Sequence, residues 1–332
     1  MTLVRIVYAI IRPIQKEVTK QMNIIVQFLL LAVGFVMLVK GADWFVEGSS
    51  GIADRFGIPQ LVIGLTIVAM GTSAPEAAVS ITAALKGTAD ISIGNVVGSN
   101  ILNVLIILGL AATITPIAVA KTTVRYEIPF MLVITLLLMG FGYMGGTVNL
   151  WEGIVLWALF ITYLLYMLWL TKTGQAEAEE LEVSGPLWKM LLMVVIGLGL
   201  IVWGSDVTVD ASTNLAKAFG VSDRFIGLTI VALGTSLPEL FTSVSAARKG
   251  KADIAIGNIV GSNIFNILFV IGTSALIIPI TFVSSFVVDF LVSTAAGVLL
   301  WLFCFRKRKL NRAGGITLLV AYAAYFVYLL SK

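Results

Sequence analysis

Histidine is missing from this 332-residue chain, and cysteine occurs once, at Cys304. The first absence removes the side chain that most often relays protons or binds transition metals near neutral pH. The second excludes an intramolecular disulfide and any metal site built on several thiolates. Charge is scarce as well: Asp, Glu, Lys and Arg make up 12% of the residues and hydrophobic side chains 59%. Ordinary soluble domains carry about 25% charge, so a soluble globular protein is excluded. The net charge of +4 is therefore no sign of nucleic acid. It reflects basic loops of the kind that orient a membrane protein.

What is present is a series of apolar runs of about 20 residues, long enough to cross a bilayer as helices. They predict an all-α integral membrane protein with ten transmembrane helices. The spans fall at about 24–45, 58–86, 91–116, 126–145 and 150–171, then 188–208, 221–249, 254–278, 283–304 and 313–331. Residues 172–187 form the one hydrophilic linker, between a first five-helix repeat at 22–171 and a second at 188–332. Residues 1–21 are basic, are interrupted by Pro13 and resemble no cleavable signal peptide. Two readings stay open for them: an interfacial amphipathic helix, or an extension ahead of a true start at Met22.

The halves repeat one another. Residues 64–109 and 227–272 are identical at 30 of 46 positions at a constant offset of 163. The repeat reaches back into the first helix of each half, where Lys40-Gly41-Ala42-Asp43 aligns with Trp203-Gly204-Ser205-Asp206. Five spans per half is an odd number, so the second half enters the membrane from the opposite side. Two inverted five-helix repeats, related by an axis in the membrane plane, are expected. Loop charges test the arrangement. The linker side collects fourteen Lys and Arg and the other side four, leaving residues 1–21 aside. The linker is then cytoplasmic and both termini extracytoplasmic, in a cell (inner or plasma) membrane. Residues 1–21 run against this rule, which favours the start at Met22.

Each copy carries one glutamate, Glu76 or Glu239, in the motif Gly71-Thr72-Ser73-Ala74-Pro75-Glu76 or Gly234-Thr235-Ser236-Leu237-Pro238-Glu239. Proline lacks an N–H and crowds the preceding turn, so the helix should break here. Ser73 is expected to cap a new half-helix, and carbonyls near 69–72 are freed. Irregular backbone at membrane depth is tolerated where it is buried in protein or lines a watery cavity. Freed carbonyls, hydroxyls and a carboxylate make an all-oxygen set that suits a hard cation such as Ca²⁺ or Na⁺. The next helix adds Asn95, Ser99 and Asn103 at four-residue spacing on one face, and its counterpart adds Asn258, Ser262 and Asn266. Two carboxylates brought to one point repel, so the site is expected to be cation-loaded or partly protonated.

Plainer roles compete. Thr72, Ser73, Thr235 and Ser236 can cap half-helices, and Asn103 and Asn266 can hydrogen-bond between helices. Gly94, Gly98, Gly257 and Gly261 read as close-packing positions. Asp90 and Asp253 read as N-caps, and Asp43, Glu47, Asp206 and Asp210 as interfacial residues near helix ends.

The paired motifs GTSAPE…GNVVGSNILN and GTSLPE…GNIVGSNIFN resemble the two alpha-repeats of the sodium/calcium exchanger family, within the cation/calcium exchanger superfamily. The resemblance implies Glu76 and Glu239 as central ligands. It adds oxygens from Thr72, Ser73, Thr235 and Ser236, carbonyls from Ala69 and Ala232, and Ser99, Asn103, Ser262 and Asn266 from the following helices. It implies exchange of Na⁺ for Ca²⁺ by alternating access, in a minimal prokaryotic-type member lacking a large regulatory domain. Asparagine at 266, where potassium-dependent relatives characteristically carry aspartate, argues against K⁺ coupling. The lack of histidine argues against H⁺ coupling. An H⁺- or K⁺-coupled antiporter remains the alternative, and an intramembrane carboxylate enzyme or a channel the more distant ones. The expected partners are the bilayer and the transported Ca²⁺ and Na⁺. No cofactor, nucleic acid or protein partner is expected.

Overall fold

The computed structural model describes residues 2–173, 186–220 and 232–331. Helix α1 runs Thr2–Phe56 and is followed by a broken pair, α2 (Gln60–Thr72) and α3 (Ala74–Leu85), bent by 50°. Then come α4 (Ile91–Ile114), α5 (Thr123–Gly145) and α6 (Leu150–Thr173). The second half has α7 (Leu187–Ala218), a short segment Ala232–Gly234, and α8 (Leu237–Arg248). It ends with α9 (Ala252–Ile277), α10 (Phe286–Lys307) and α11 (Arg312–Ser331). Among the described residues, eight helices are long and apolar enough to span a membrane, or nine with the broken pair. The start of the expected span 221–249 and most of the linker lie outside the described residues.

Three boundaries differ from expectation, the first being the start of α1, which is helical from Thr2 and not from 24. The first and sixth spans, expected to stop at 45 and 208, continue as helix to Phe56 and Ala218. Asp43, Glu47, Asp206 and Asp210, expected to be interfacial residues near helix ends, sit inside these helices, and two have partners far along the chain. Asp43 accepts a hydrogen bond from Ser245 Oγ (2.6 Å) and lies 3.6 Å from Lys249 Nζ, which is 3.4 Å from Glu47. An acidic residue paired in this way need not mark the end of an element.

The repeat is visible in the elements. At the fixed offset of 163, α3 maps onto α8, and the π-helical turn Asn103–Leu108 maps onto Asn266–Ile271. Among the described residues, two further π-helical turns occur at Gly64–Val68 and Thr123–Glu127. Such turns, with one extra residue per turn, are common near functional sites.

Burial sorts the helices into a centre and a rim. The most apolar window of α9 is 94% buried and that of α4 72%, against 17% for α1 and for α11. The rim exposes large apolar side chains such as Val36, Leu165 and Trp203, as a lipid-facing surface should. The centre is tightened by glycine. A Cβ on Gly64 would stand 3.0 Å from Asp253 O, and one on Gly261 would stand 2.6 Å from Leu65 O. The first half's α2 and the second half's α9 therefore meet backbone to backbone. Two short antiparallel ladders close the ends, β1 (Ile117–Ala118) with β4 (Lys309–Leu310) and β2 (Thr147–Val148) with β3 (Ile280–Thr281).

Candidate cation site

The helix break places the glutamates. Ser73 (φ −84°, ψ 8°) interrupts the chain between α2 and α3, with Pro75 in the first turn of α3. Ser236 (φ −92°, ψ 4°) does the same before α8, with Pro238 in its first turn. Proline is well tolerated there, because first-turn N–H groups lack helical partners anyway. Glu76 and Glu239 thus enter at the start of a half-helix, where the helix dipole favours negative charge. Each is 1% exposed, and the two are close enough to repel one another.

Hydroxyls from both halves surround each carboxylate. Thr235 and Ser99 lie beside Glu76, and Ser73, Thr72 and Ser262 lie beside Glu239. Ser73 Oγ donates to Glu239 Oε1 at 2.7 Å. Turned toward Glu239, Ser73 is not the side-chain cap expected of it, and no cap bond forms at α3.

Several oxygens have no donor at all. Glu76 Oε1 and Oε2, Glu239 Oε2, Asn103 Oδ1, Asn266 Oδ1 and Ser236 Oγ are buried without a hydrogen-bond partner. Leaving such groups unpaired costs about 1–3 kcal/mol each, and more for charged ones. A cation with oxygen ligands removes that cost, and the chemistry of the donor set, carboxylate and amide oxygens with hydroxyls, fits one.

The remaining predicted residues fall as follows. Thr72 Oγ1 reaches Asn258 Oδ1 (2.9 Å) and the carbonyl of Val68 (3.1 Å). Ala69 was expected to offer a free carbonyl. Its oxygen instead accepts from the Ser73 N–H (3.0 Å), from Thr72 Oγ1 (3.3 Å) and from Ser262 Oγ (3.3 Å). Ala232 opens the short helical segment before Ser236. Thr235 is half-buried, and Ser99, Asn103, Ser262 and Asn266 are buried.

Asn95 and Asn258 are tethers. Asn95 Nδ2 donates to Glu76 O (3.3 Å) and Ser80 Oγ (2.9 Å), and Asn258 Nδ2 to Glu239 O (3.3 Å) and Ser243 Oγ (2.9 Å). Each fixes the backbone that carries a glutamate. Lys251 holds the N-cap position before α9, placing Asp253, expected there, in the first turn; the Asp90 side chain lies outside the described residues. Sequence reasoning missed Asn100 and Asn263, buried amides that bond across the halves. Their identity at the fixed offset was the available signal.

A bundle of apolar helices closing on a buried, duplicated set of oxygens defines a membrane transporter of cations, not an enzyme. The sequence model described as "Sodium/calcium exchanger protein" matches residues 26–169 and 189–331. The chain belongs to the sodium/calcium exchanger family. It is 38% identical to the inner membrane protein YrbG of Escherichia coli, covering 82% of this chain and 88% of that one. It is 34% identical to the sodium/calcium exchanger MaX1 of Methanosarcina acetivorans, covering 92% and 99%. A solved structure of the sodium-calcium exchanger NCX_Mj superposes with a TM-score of 0.80 at 34% identity, covering 92% and 99%.

Proposed function

We propose that the protein is a secondary antiporter that exchanges Na⁺ for Ca²⁺ by alternating access at one central site between two inverted five-helix repeats. The observation that carries this reading is the set of buried, donor-free oxygens on Glu76, Glu239, Asn103 and Asn266. The hydroxyls of Thr72, Ser73, Thr235, Ser236, Ser99 and Ser262 and the carbonyl of Ala232 complete the ligand supply, whereas the Ala69 carbonyl would first have to give up the hydrogen bonds it accepts. One Ca²⁺ balances the two carboxylates, and Na⁺ competes for the same oxygens. Competition at one site becomes exchange when the unloaded protein reorients slowly. The relatives support the ions: MaX1 is named a sodium/calcium exchanger, and NCX_Mj has been soaked with Na⁺, Ca²⁺ and Sr²⁺.

The moving elements are α1 and α7. Their seam is built from glycine on both sides: a Cβ on Gly41 would stand 2.8 Å from Gly197 O, and one on Gly204 would stand 3.1 Å from Gly34 O. Two helices with so few protruding side chains between them can slide together over the helices that hold the site. Loop charge sets the linker in the cytoplasm and both termini outside.

The test is calcium flux in proteoliposomes with Na⁺, K⁺ and H⁺ gradients imposed independently. Uptake that follows the outward Na⁺ gradient is expected. Uptake that ignores Na⁺ and follows pH or K⁺ overturns the coupling.

A further inference from the structure

We infer that Asn100 and Asn263 are positioning residues, each of which turns the amide of the opposite half's ligand asparagine so that its oxygen is available to the ion. The inference rests on the cation-site reading above.

A primary amide has two arms with opposite uses. Its oxygen accepts a cation, whereas its NH₂ only donates and repels one. The terminal torsion that exchanges the arms is broad and roughly two-fold. The position of Asn103 or Asn266 on a helix therefore does not decide which arm the ion meets. The neighbours decide it. Asn103 Nδ2 donates to Asn263 Oδ1 at 2.9 Å, and Asn266 Nδ2 donates to Asn100 Oδ1 at 3.1 Å. A carbonyl oxygen can only accept, so each contact selects the NH₂ arm and leaves the oxygen arm over. Those leftover oxygens, Asn103 Oδ1 and Asn266 Oδ1, are the buried atoms without a partner.

The two keepers are themselves held. Asn100 Nδ2 donates to the backbone carbonyl of Asn263, and Asn263 Nδ2 to that of Asn100, each at 3.3 Å. Asn263 Nδ2 also lies 3.6 Å from Met131 Sδ. With their NH₂ arms committed to backbone, both keepers must present Oδ1 to the ligand amides. The four asparagines make a closed, reciprocal set across the halves. Turning any one over sets oxygen against oxygen or NH₂ against NH₂.

An aspartate has an oxygen on either arm and needs no keeper, which makes the inference testable. Calcium affinity is measured by titration calorimetry on the purified full-length protein, using Ca²⁺ alone. The variants are N263L, nearly the same size but without an acceptor, N103D, and N103D/N263L. N263L is expected to weaken binding about tenfold when Asn103 is intact, since one misdirected neutral group is worth about 1.4 kcal/mol, and not to weaken it in the N103D background, where it removes an oxygen set against the new carboxylate. An equal loss in both backgrounds, or none in the first, overturns the positioning role. The mirror set N100L, N266D and N266D/N100L should behave alike, and stands in if N263L does not fold. If neither leucine variant folds, the amides act as a fastener between the halves and the inference fails. E76Q and E239Q serve as controls: calcium binding retained in both overturns the cation-site reading, whatever the asparagine variants do.

Discussion

The two halves offer nearly the same residues to the site but do not hold them alike. In the first half, Thr72 and Ser73 are fully buried and both reach across, to Asn258 and Glu239. In the second half, Thr235 is half-buried, and Ser236 Oγ is buried without a partner. Glu239 thus has one bonded oxygen, whereas Glu76 has none. The tethers differ as well, Asn258 being fully buried and Asn95 only half-buried. Near-identical sequence with unequal geometry shows that the repeat specifies a menu of contacts and that the fold uses one selection from it. A protein with two such selections of similar free energy has the ingredients of a two-state device.

The largest expected effect ignores the asymmetry. E76Q and E239Q should each weaken calcium binding by about a hundredfold or more, because each replaces a buried, negatively charged ligand by a neutral one. Calorimetry that found a severe loss in one variant and a mild one in the other would break the equivalence of the glutamates. Next comes G261A. Its Cβ would stand 2.6 Å from Leu65 O and 2.8 Å from the Ala69 Cβ. Forced repacking of this kind costs about 1–3 kcal/mol, read as a lower melting temperature of the purified protein. An unchanged melting point would mean that α2 and α9 can separate freely.

The comparison is sharpened by a pair of serines. In calcium-free protein S73A should lose about 1.5–3 kcal/mol of stability, the usual worth of a hydrogen bond to a charged group. S236A should lose nothing and gain up to about 1 kcal/mol, since it removes a buried hydroxyl that has no partner. Equal effects would show that the unbound protein spends equal time in the mirror arrangement. The smallest effect is expected from K249A. Its contacts with Asp43 and Glu47 are partly exposed, and pairs of this kind contribute about 1 kcal/mol or less.

The parts legible in the sequence were those with a local cause. Proline at 75 and 238 foretold both helix breaks, because a missing N–H acts on its own turn. Apolar runs located the helices, because length and composition suffice for that. The illegible parts were set by partners far away in the chain. Asp43 and Glu47 looked like the end of a helix because Lys249, more than 200 residues on, is not visible from their neighbourhood. Ser73 looked like a cap because the carboxylate that its hydroxyl turns toward, Glu239, lies 166 residues away in the chain. The π-helical turns at 103 and 266 have no residue type that announces them. The roles of Asn100 and Asn263 depend on which arm of an amide faces which, a property no residue letter carries.

The two-residue ladders bear on how such a chain comes into being. β1 of the first half pairs with β4 of the second, and β2 with β3. The most buried helix of the second half, α9, packs its glycines on α2 of the first. Neither half finishes its own edges or covers its own centre, so the ribosome must deliver the second before the first can settle. The molecule is in effect a dimer written on one strand of message. Cut in the linker and produced as two polypeptides, it should find itself again in the membrane, because every closing contact is already addressed to the other piece.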